Sequence, residues 1–348
     1  MTANYDFNRL KLEIKQLGQK LGFAQVGVAE INLKHEAAYL KKWLHAGLHG
    51  KMRYLEKHRN LREHPEQLVV NAARVICCCL DYPKSSVTNH PLAAFAQIPD
   101  YSTHMQQLLK KYVANIPAQL TQTKTRIFSG NAPILEKALA AKAGIGWYGK
   151  NTMLINNTSG SYFFLGEIFT DLPLPIDTPL TNRCGNCTQC QTQCPTQAII
   201  APYKLDAKKC IAYLTIEYAG VIPPALRPLI GTKIFGCDIC QQVCPWNKLN
   251  NKTTTLTPLP HFHEADLAAW FLWSEQEFLA KTQSSPIRRI GYERWLRNLA
   301  IALGNAATTP TNLQALQARK NYCSPLVQEH VHWALERKLG AGSSKCLI

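Results

Sequence analysis

The sequence predicts three parts: an N-terminal α/β layer domain, a cysteine-rich module and a short helical C-terminal domain. Helical and strand patterns alternate over the first half of the chain, which is typical of α/β layers. Eight cysteines at short spacings then crowd residues 184–244, and apolar residues at helical spacing fill the remainder. Proline-rich and threonine-rich stretches lie between the parts, so we set the boundaries at 1–175, 176–250 and 251–348.

The N-terminal elements follow from hydrophobic periodicity. Residues from about 6 to 22 carry Leu10, Ile14 and Leu17 at helical spacing, and Phe23 to Ala29 alternates like a strand. The other predicted elements are strands at 74–80 and 125–129, a helix at about 133–143, and a hairpin of 153–155 with 162–170.

Three consecutive cysteines, Cys77, Cys78 and Cys79, lie in an apolar run that ends before Pro83. This pattern predicts a buried strand in which cysteine acts as a small apolar residue. Successive side chains on a strand point to opposite faces, so three in a row cannot converge on one metal.

The downstream cysteines form two spaced sets. Cys184, Cys187, Cys190 and Cys194, with Pro195, spell C-x2-C-x2-C-x3-C-P, the run typical of bacterial ferredoxins. The second set is Cys210, Cys237, Cys240 and Cys244, followed by Pro245. In ferredoxins the last cysteine of a run ligates the other cluster. The spacing therefore predicts two 4Fe–4S clusters, held by Cys184, Cys187, Cys190 and Cys244, and by Cys194, Cys210, Cys237 and Cys240.

Zinc and disulfide bonds are the alternatives for these cysteines. Structural zinc sites usually combine two pairs of ligands, not a triplet followed by a C-x3-C-P run. Disulfides need an oxidising compartment, and the N-terminus lacks the apolar stretch of a signal peptide. We therefore expect iron–sulfur clusters in a reducing cytoplasm, in a chain with no membrane-spanning segment.

The net charge of +16 leaves two interpretations open. A basic surface can simply be solvated, or it can bind a polyanion such as nucleic acid. Ten Lys and Arg against three Glu lie between Lys281 and Lys345. In this region two helical patterns, around Trp295 and Val331, resemble one HEAT-like repeat, which we expect to pack on the cysteine module.

Several strings extend beyond the cysteine spacing. They are Ala132-Pro-Ile-Leu-Glu-Lys, Gly144-Ile-Gly-Trp-Tyr-Gly-Lys-Asn151, Gly160-Ser-Tyr-Phe-Phe-Leu-Gly-Glu167, Cys210-Ile-Ala-Tyr-Leu-Thr-Ile-Glu217 and Gly236-Cys-Asp-Ile-Cys-Gln-Gln-Val-Cys-Pro-Trp-Asn247. With these strings the chain resembles the epoxyqueuosine reductase family over nearly its whole length.

The resemblance implies a fold and a reaction. It implies an N-terminal corrinoid-binding domain like that of reductive dehalogenases, with cobalamin between that domain and the two 4Fe–4S clusters. It implies reduction of epoxyqueuosine to queuosine in the anticodon loop of tRNA, the last step of queuosine biosynthesis. We expect a monomer that takes electrons from a donor the sequence does not identify.

The resemblance also implies residues around the corrinoid, each with a plainer alternative. Arg62 matches an Arg-x-x-Pro element near the cofactor, or is an exposed arginine after a helix. Leu154 and Leu165 match corrinoid-lining positions, or are ordinary buried strand residues. Lys150 contacts a phosphate or the corrinoid side chains, or is a surface lysine. Cys237 and Asp238 match the loop that approaches cobalamin, although Asp238 could instead cap the turn before Cys240.

Departures from the family pattern cluster at the expected substrate face. The position beside the corrinoid where the family carries its proton-donor aspartate is Gly130, and glycine cannot donate a proton. Positions that carry Arg and His in the family are Ala94 and Ser102. A water, Ser129, Asn131 or Asp100 could replace the missing acid. Two further alternatives stay open: a corrinoid iron–sulfur reductase of another substrate, and a tRNA-binding family member weakened by Gly130.

Overall fold

The computed structural model describes residues 6–85, 87, 89–116, 125–130, 132–248, 256–262 and 264–340. The N-terminal helices are α1 (Phe7–Lys20), α2 (Lys34–His45), α3 (Tyr54–Lys57), α4 (Arg59–Glu63), α5 (Tyr101–Ala114) and α6 (Glu136–Lys142). The strands before the cysteine module are β1 (Gln25–Glu30), β2 (Arg74–Asp81), β3 (Thr125–Phe128), β4 (Trp147–Tyr148), β5 (Leu154–Ile155) and β6 (Phe163–Thr170).

The rest of the chain is mainly helical. The cysteine module contains short elements: α7 (Gln189–Thr192), β7 (Ile199–Ala201), β8 (Lys204–Leu205), α8 (Ile211–Ile216), α9 (Arg227–Ile230) and α10 (Ile239–Gln242). The C-terminal helices are α11 (Leu267–Leu272), α12 (Glu275–Lys281), α13 (Gly291–Asn305), α14 (Pro310–Ala318) and α15 (Pro325–Gly340). None of the helices in the described ranges is long and apolar enough to cross a bilayer.

The N-terminal domain is built on a four-stranded sheet in the order β1-β2-β6-β3. Every pairing in it is antiparallel, although the alternation of helices and strands is more typical of parallel sheets. The strand with three cysteines is confirmed: Cys77 and Cys79 face the core that contains α6, while Cys78 faces the core under α1 and α5. The sheet therefore lies between two helical layers.

The hairpin predicted from 153–155 with 162–170 is wrong. Strand β5 pairs with β4, and β6 pairs with β2 and β3 instead. The reason is burial: β6 is apolar on both faces, and a central place in the sheet gives it a strand on each side. The intervening loop closes through a single bridge between Asn156 and Gly160.

The C-terminal helices pack on the cysteine module, as the sequence analysis expects. Arg297 of α13 is fully buried, and its guanidinium donates to the backbone carbonyls of Leu214, Tyr218 and Gly220 at 2.7–2.9 Å. The neighbouring Asn298 amide donates to the carbonyls of Thr215 and Ile234. These bonds hold α13 against the C-terminal end of α8, which begins directly after Cys210.

Candidate functional site

The eight spaced cysteines lie in two loop systems that face each other. The short helices α7 and α10 follow the first turns of these loops and pack together. The loop that carries Cys184 is fixed by Asn182, whose side chain accepts from the Cys184 N–H at 2.9 Å and donates to the Tyr148 carbonyl. All eight thiols are unpaired, and only Cys244 is fully buried.

The first group contains Cys184, Cys187, Cys190 and Cys244. Burial and, after it, the neighbouring thiols of Cys184, Cys244 and Cys187 together raise the pKa of Cys190 to about 11. Burial also raises the pKa of Cys244, where Cys184 and Cys187 again contribute. Thiols packed this closely need a bound cation if they are to become thiolates together.

The second group contains Cys194, Cys210, Cys237 and Cys240. Burial raises the pKa of Cys237 to about 12, with Cys210 contributing. The pKa of Cys210 is raised by burial and by Cys194, and that of Cys240 by burial, Cys237 and Cys210. Cys190 of the first group also acts on Cys240, so the two groups are adjacent. Among the described residues, no set of three His, Cys, Asp or Glu side chains is arranged to bind a single metal ion directly. We therefore define the two groups by which thiols are neighbours.

The loop before α10 joins the cysteine module to the N-terminal domain. Asp238 is buried, and its carboxylate accepts from the Ala94 N–H at 2.6 Å. Burial raises the pKa of Asp238 to about 6, and Lys233 opposes the shift. The Asp238 side chain makes no capping bond to α10, so the capping alternative is wrong. Asp238 instead fixes the second thiol group against residues 90–94.

A line of aromatic rings runs from this loop toward Gly130. Burial and the nearby Asp238 raise the pKa of both Tyr82 and Tyr162. The ring centroids of Tyr162 and Tyr82 are 5.7 Å apart, and those of Tyr82 and Phe164 are 4.5 Å apart. Phe164 then stacks on Tyr101 with centroids 3.8 Å apart. The rings form a continuous wall between the second thiol group and the Gly130 turn.

Gly130 has a φ of 74°, in the left-handed region that favours glycine. A Cβ atom built there would lie 3.3 Å from the Tyr101 hydroxyl and 3.6 Å from the Ser102 hydroxyl. A side chain at position 130 would therefore point at these two hydroxyl groups.

The residues that could replace an acid at position 130 differ in whether their side chains are already hydrogen-bonded. Asp100 caps α5, accepting from the Ser102 N–H at 2.9 Å and from the Ser102 hydroxyl at 2.6 Å. Ser129 is buried, and its hydroxyl has no hydrogen-bond partner among the described residues. Asn131 lies outside the described residues. Asp100 is thus committed to holding the helix start.

The other predicted cofactor residues lie in different surroundings. Arg62 is buried in α4, with its guanidinium 3.3 Å from the Tyr54 carbonyl, so the exposed alternative is wrong. Burial lowers the pKa of Arg62. Leu154 and Leu165 are buried in the core that contains α6. The Lys150 ammonium donates to the carbonyls of Gly185 and Cys187 at 2.7 and 2.9 Å, which ties the N-terminal domain to the first thiol loop.

Two cavities flank this region. The first, of about 530 Å³, is mostly apolar and lies between α2, α6 and the cysteine module, with Tyr39, Trp43, Tyr148 and Tyr203 in its wall. The second, of about 610 Å³, is polar and lies between α5 and the segment before α13, with His104, Arg288 and Arg289 in its wall. Asp100 also lines the second cavity, so this cavity lies beside the Gly130 turn.

Sequence reasoning assigned no role to three groups that meet near Gly130: the hydroxyl of Tyr101 and the carboxyl groups of Glu136 and Glu167. Glu167 could have been noticed, because a carboxylate stands in the middle of the apolar strand Phe163–Thr170. Glu136 follows an apolar tripeptide at the start of a helix, where an acidic residue is common, so its sequence context gives no signal.

A family model and individual relatives match this chain. The model for a 4Fe–4S double cluster binding domain covers residues 183–247. The epoxyqueuosine reductase of Pseudomonas aeruginosa is 48% identical over 341 residues, which is 94% of each chain. The Escherichia coli protein of the same name is 43% identical and covers 97% of this chain and 92% of its own.

Solved structures agree in fold. An epoxyqueuosine reductase from Bacillus subtilis, described with its catalytic aspartate loop swung out of the active site, superimposes with a TM-score of 0.85. It is 24% identical and covers 98% of this chain and 95% of its own. Another epoxyqueuosine reductase structure, with an epoxyqueuosine-modified tRNA-Tyr stem loop, gives a TM-score of 0.84 at 24% identity and covers 99% of this chain.

Proposed function

The chain belongs to the epoxyqueuosine reductase family, and on this premise we propose that it reduces epoxyqueuosine to queuosine in the anticodon loop of tRNA. The observation that carries the proposal is identity of 48% over nearly the full length, in a chain that keeps both groups of four cysteines. The reaction removes one oxygen atom, so it consumes two electrons and two protons and releases water.

The eight thiols are the proposed ligands of two 4Fe–4S clusters, four to each group. Burial, followed by the neighbouring thiols, raises the pKa values of Cys190, Cys237 and Cys240, which fits a site built for positive iron that would stabilise the thiolates. The two clusters and a cobalamin, when bound, supply single electrons and a low-valent cobalt for the attack on the epoxide. Lys150 holds the first cluster loop, and Asp238 fixes the second against the N-terminal domain.

Residues of the N-terminal domain would hold the cobalamin. The buried guanidinium of Arg62 has donors to spare for an amide oxygen or a phosphate. The aromatic cavity beside α2 suits a flat, largely apolar group, whereas Leu154 and Leu165 are buried in the core, as ordinary strand residues would be. Gly130 leaves open the space in front of Tyr101, and Cys237 and Asp238 would approach from the cluster side. The residues present therefore fit the cofactor.

The polar cavity beside α5 is the proposed entry for the RNA. Arg288 and Arg289 lie in its wall, in a C-terminal region rich in basic residues. Phosphate contacts give most of the affinity for RNA, while the modified base itself must leave the stack and enter the pocket. A cationic groove next to the Gly130 turn meets both needs.

The proposal also covers the domain boundaries, the cellular location and the oligomeric state of the protein. We divide the chain at 1–175, 176–250 and 251–348, with a corrinoid-binding domain, a double-cluster domain and a HEAT-like C-terminal domain. The packing of α13 against α15 supports a helical repeat in the last part. We place the protein in the cytoplasm as a monomer that receives single electrons from a separate donor.

Anaerobic turnover tests the function. The clusters are reconstituted, cobalamin and a strong reductant are added, and an anticodon stem-loop with epoxyqueuosine is supplied. Mass spectrometry then follows loss of one oxygen from the modified base. We expect conversion that requires both cofactors, is retained by Cys323→Ala at an exposed cysteine, and is lost in Cys237→Ala. Conversion by reductant alone, or none in the complete mixture, would contradict the proposal.

Gly130 supports a second candidate function, a tRNA-binding family member with little reductase activity. In that case the stem-loop binds normally but is not converted, and Gly130→Asp restores conversion. Conversion by the unaltered chain excludes this candidate.

A further inference from the structure

Glu167 is a fully buried carboxyl group in the centre of the main sheet. It lies opposite Cys77 of β2 and Phe128 of β3, and none of its side chain is exposed. Neither of its carboxyl oxygens has a hydrogen-bond partner among the described residues. An ionised carboxylate without partners is strongly disfavoured in such a place. Glu167 therefore holds a proton.

Glu136, the first residue of α6, is the neighbour of this carboxyl group. One of its oxygens accepts from the Gly130 N–H at 3.1 Å, which places Glu136 directly behind the Gly130 turn. Burial raises the pKa of Glu136 to about 7. The pKa of Glu167 is raised well above its ordinary value by burial and by the charge of Glu136. The two groups cannot both be ionised near neutral pH.

Titratable side chains from each neighbouring element face Glu136 and Glu167. From α5, Tyr101 presents a hydroxyl whose pKa is raised by burial and by both carboxyl groups. From β2, Cys77 faces Glu167. Within α6, Lys137 lies beside Glu136, and its ammonium donates to the Thr152 carbonyl at 2.9 Å. The only other acidic group around the turn is Asp100 of the α5 cap, within the residues that the structure describes.

We propose that Glu136, with Glu167 behind it, is the internal proton donor for reduction of the epoxide. This proposal rests on the proposed function. Each turnover breaks both C–O bonds of the epoxide and forms one C=C bond, with two electrons from the reductant and two protons. Glu136 gives one proton to the leaving oxygen and is reprotonated from solvent, and water supplies the second. Glu167 keeps its own proton throughout, so it adds no charge beside Glu136 and takes no part in the transfer.

The position explains how a glycine can stand at residue 130. A side chain there would fill the space between the Glu136 carboxyl group and the hydroxyl groups of Tyr101 and Ser102. Without it, the space in front of the Tyr101 and Ser102 hydroxyl groups stays open to water or to the substrate oxygen. The acid in this chain lies one layer deeper than residue 130.

The test compares Glu136→Gln, Glu167→Gln and a control, Glu30→Gln, in the protein loaded with clusters and cobalamin. Glu30 lies on the same sheet, and its side chain is half exposed and paired with Lys142. Infrared difference spectra across pH 5–9 follow the carboxylic acid C=O band, independently of turnover. We expect a band that is lost with a midpoint near pH 7 in the wild type, is missing in Glu136→Gln, and keeps this midpoint in Glu167→Gln, where one neutral group replaces another.

Turnover of the stem-loop is measured in the same samples. We expect the wild-type rate to fall as pH rises above about 7, because Glu136 must carry the proton it donates. Glu136→Gln should lower the rate by about 10²- to 10⁴-fold and remove this pH dependence. Glu167→Gln should keep the pH dependence of the wild type, because a neutral amide replaces a neutral carboxylic acid. Glu30→Gln should match the wild type.

The outcomes distinguish failure of the proton-donor assignment from failure of the proposed function. If the wild type converts the stem-loop and Glu136→Gln keeps its rate and pH profile, the donor assignment is overturned alone. If the wild type converts nothing under any condition, the proposed function falls and the donor assignment falls with it. Iron content and melting temperature check the folding of each variant. Should Glu136→Gln fail to fold, Glu136→Asp replaces it, and a partial rate with a shifted pH profile is the supporting result.

Discussion

The ring of Tyr101 lies parallel to the ring of Phe164, with an interplanar angle of 3° and centroids 3.8 Å apart. This stack fixes the first residue of α5 on the central strand β6, so the Tyr101 hydroxyl is held beside the Gly130 turn. The hydroxyl can thus act at the site, while the ring is held independently by packing. Replacements at this position can separate the two roles.

Tyr101→Phe keeps the stack and removes only the hydroxyl. We expect turnover to fall at least about tenfold with little change in melting temperature, since the hydroxyl is placed to pass or orient a proton. Tyr112→Phe is the contrasting variant: the Tyr112 hydroxyl donates to the Ile14 carbonyl in the core, far from the site. That variant should lose about 1 kcal/mol of stability and keep its turnover. Equal turnover in the wild type and Tyr101→Phe would assign Tyr101 to packing alone.

Gly130→Asp places a carboxyl group toward the hydroxyl groups of Tyr101 and Ser102. The left-handed φ at this position should cost about 1 kcal/mol, because aspartate tolerates this region better than most residues. We expect turnover equal to or above that of the wild type, and a rate that no longer depends on Glu136. Single-turnover rates in Gly130→Asp with and without Glu136→Gln measure this independence. Gly130→Asn, with the same shape and no acid, is the control and should stay dependent on Glu136.

The two thiol groups predict how iron is lost. Cys194→Ala should reduce bound iron from about eight atoms to about four per chain, because only the second cluster loses a ligand. Cys78→Ala, at a fully buried strand cysteine, should keep all the iron. Iron and sulfide analysis with electron paramagnetic resonance measures both results. Loss of a single metal atom, or retention of all iron in Cys194→Ala, would contradict the assignment.

His330 predicts a pH dependence in the C-terminal domain. It is fully buried: its Nε2 accepts from the Ile222 N–H at 3.1 Å, and its Nδ1 donates to the Leu326 carbonyl at 2.7 Å. A protonated ring would point a donor at the Ile222 N–H. Burial accordingly lowers the pKa of His330 to about 4.

The direction in which stability changes with pH follows from the lowered pKa of His330. The neutral ring is favoured in the folded state, so its contribution is complete above about pH 6.5 and is lost as pH falls toward 4. The loss amounts to at most about 3 kcal/mol. We expect the wild type to lose stability over this range more steeply than His330→Gln, as measured by urea unfolding at several pH values. Parallel curves for the two proteins would rule out this role for His330.

The polar cavity predicts a salt-dependent affinity for RNA. Replacing Arg288 and Arg289 with glutamine should weaken stem-loop binding, and the slope of log Kd against log salt should fall by about one for each phosphate that the protein no longer neutralises. Arg9→Gln, at an exposed position on α1, is the matched control and should leave the slope unchanged. An unchanged slope in the double variant would exclude this groove as the RNA surface.

The sequence predicts well the features that are formed by residues close together in the chain. The thiol groups follow from cysteines three residues apart, because a short turn necessarily brings such side chains to one side. The helix over Phe7–Lys20 and the strand at Cys77–Cys79 follow from periodicity for the same reason. The family resemblance is confirmed, because a relative of that name is 48% identical over 94% of the chain.

Contacts between distant segments are harder to predict. The pairing of β5 with β4 in place of β6 depends on which strands complete the main sheet. The role of Lys150 in holding the carbonyls of the first cluster loop depends on the docking of two domains. Glu136 and Glu167 are about thirty residues apart and meet only because α6 packs on the sheet. No local pattern encodes these three relationships.

The packing of α13 against α8 has a consequence for how the enzyme folds and acquires its metal. All but one of the carbonyls that Arg297 and Asn298 bind belong to α8 and the turn after it, and α8 begins directly after Cys210 of the second thiol group. We expect a chain without iron to lack the anchor that holds the start of this helix, so that α13 docks fully only after metal loading. Oxygen damage at the second thiol group should accordingly loosen the C-terminal helices, and their protease sensitivity would report on maturation.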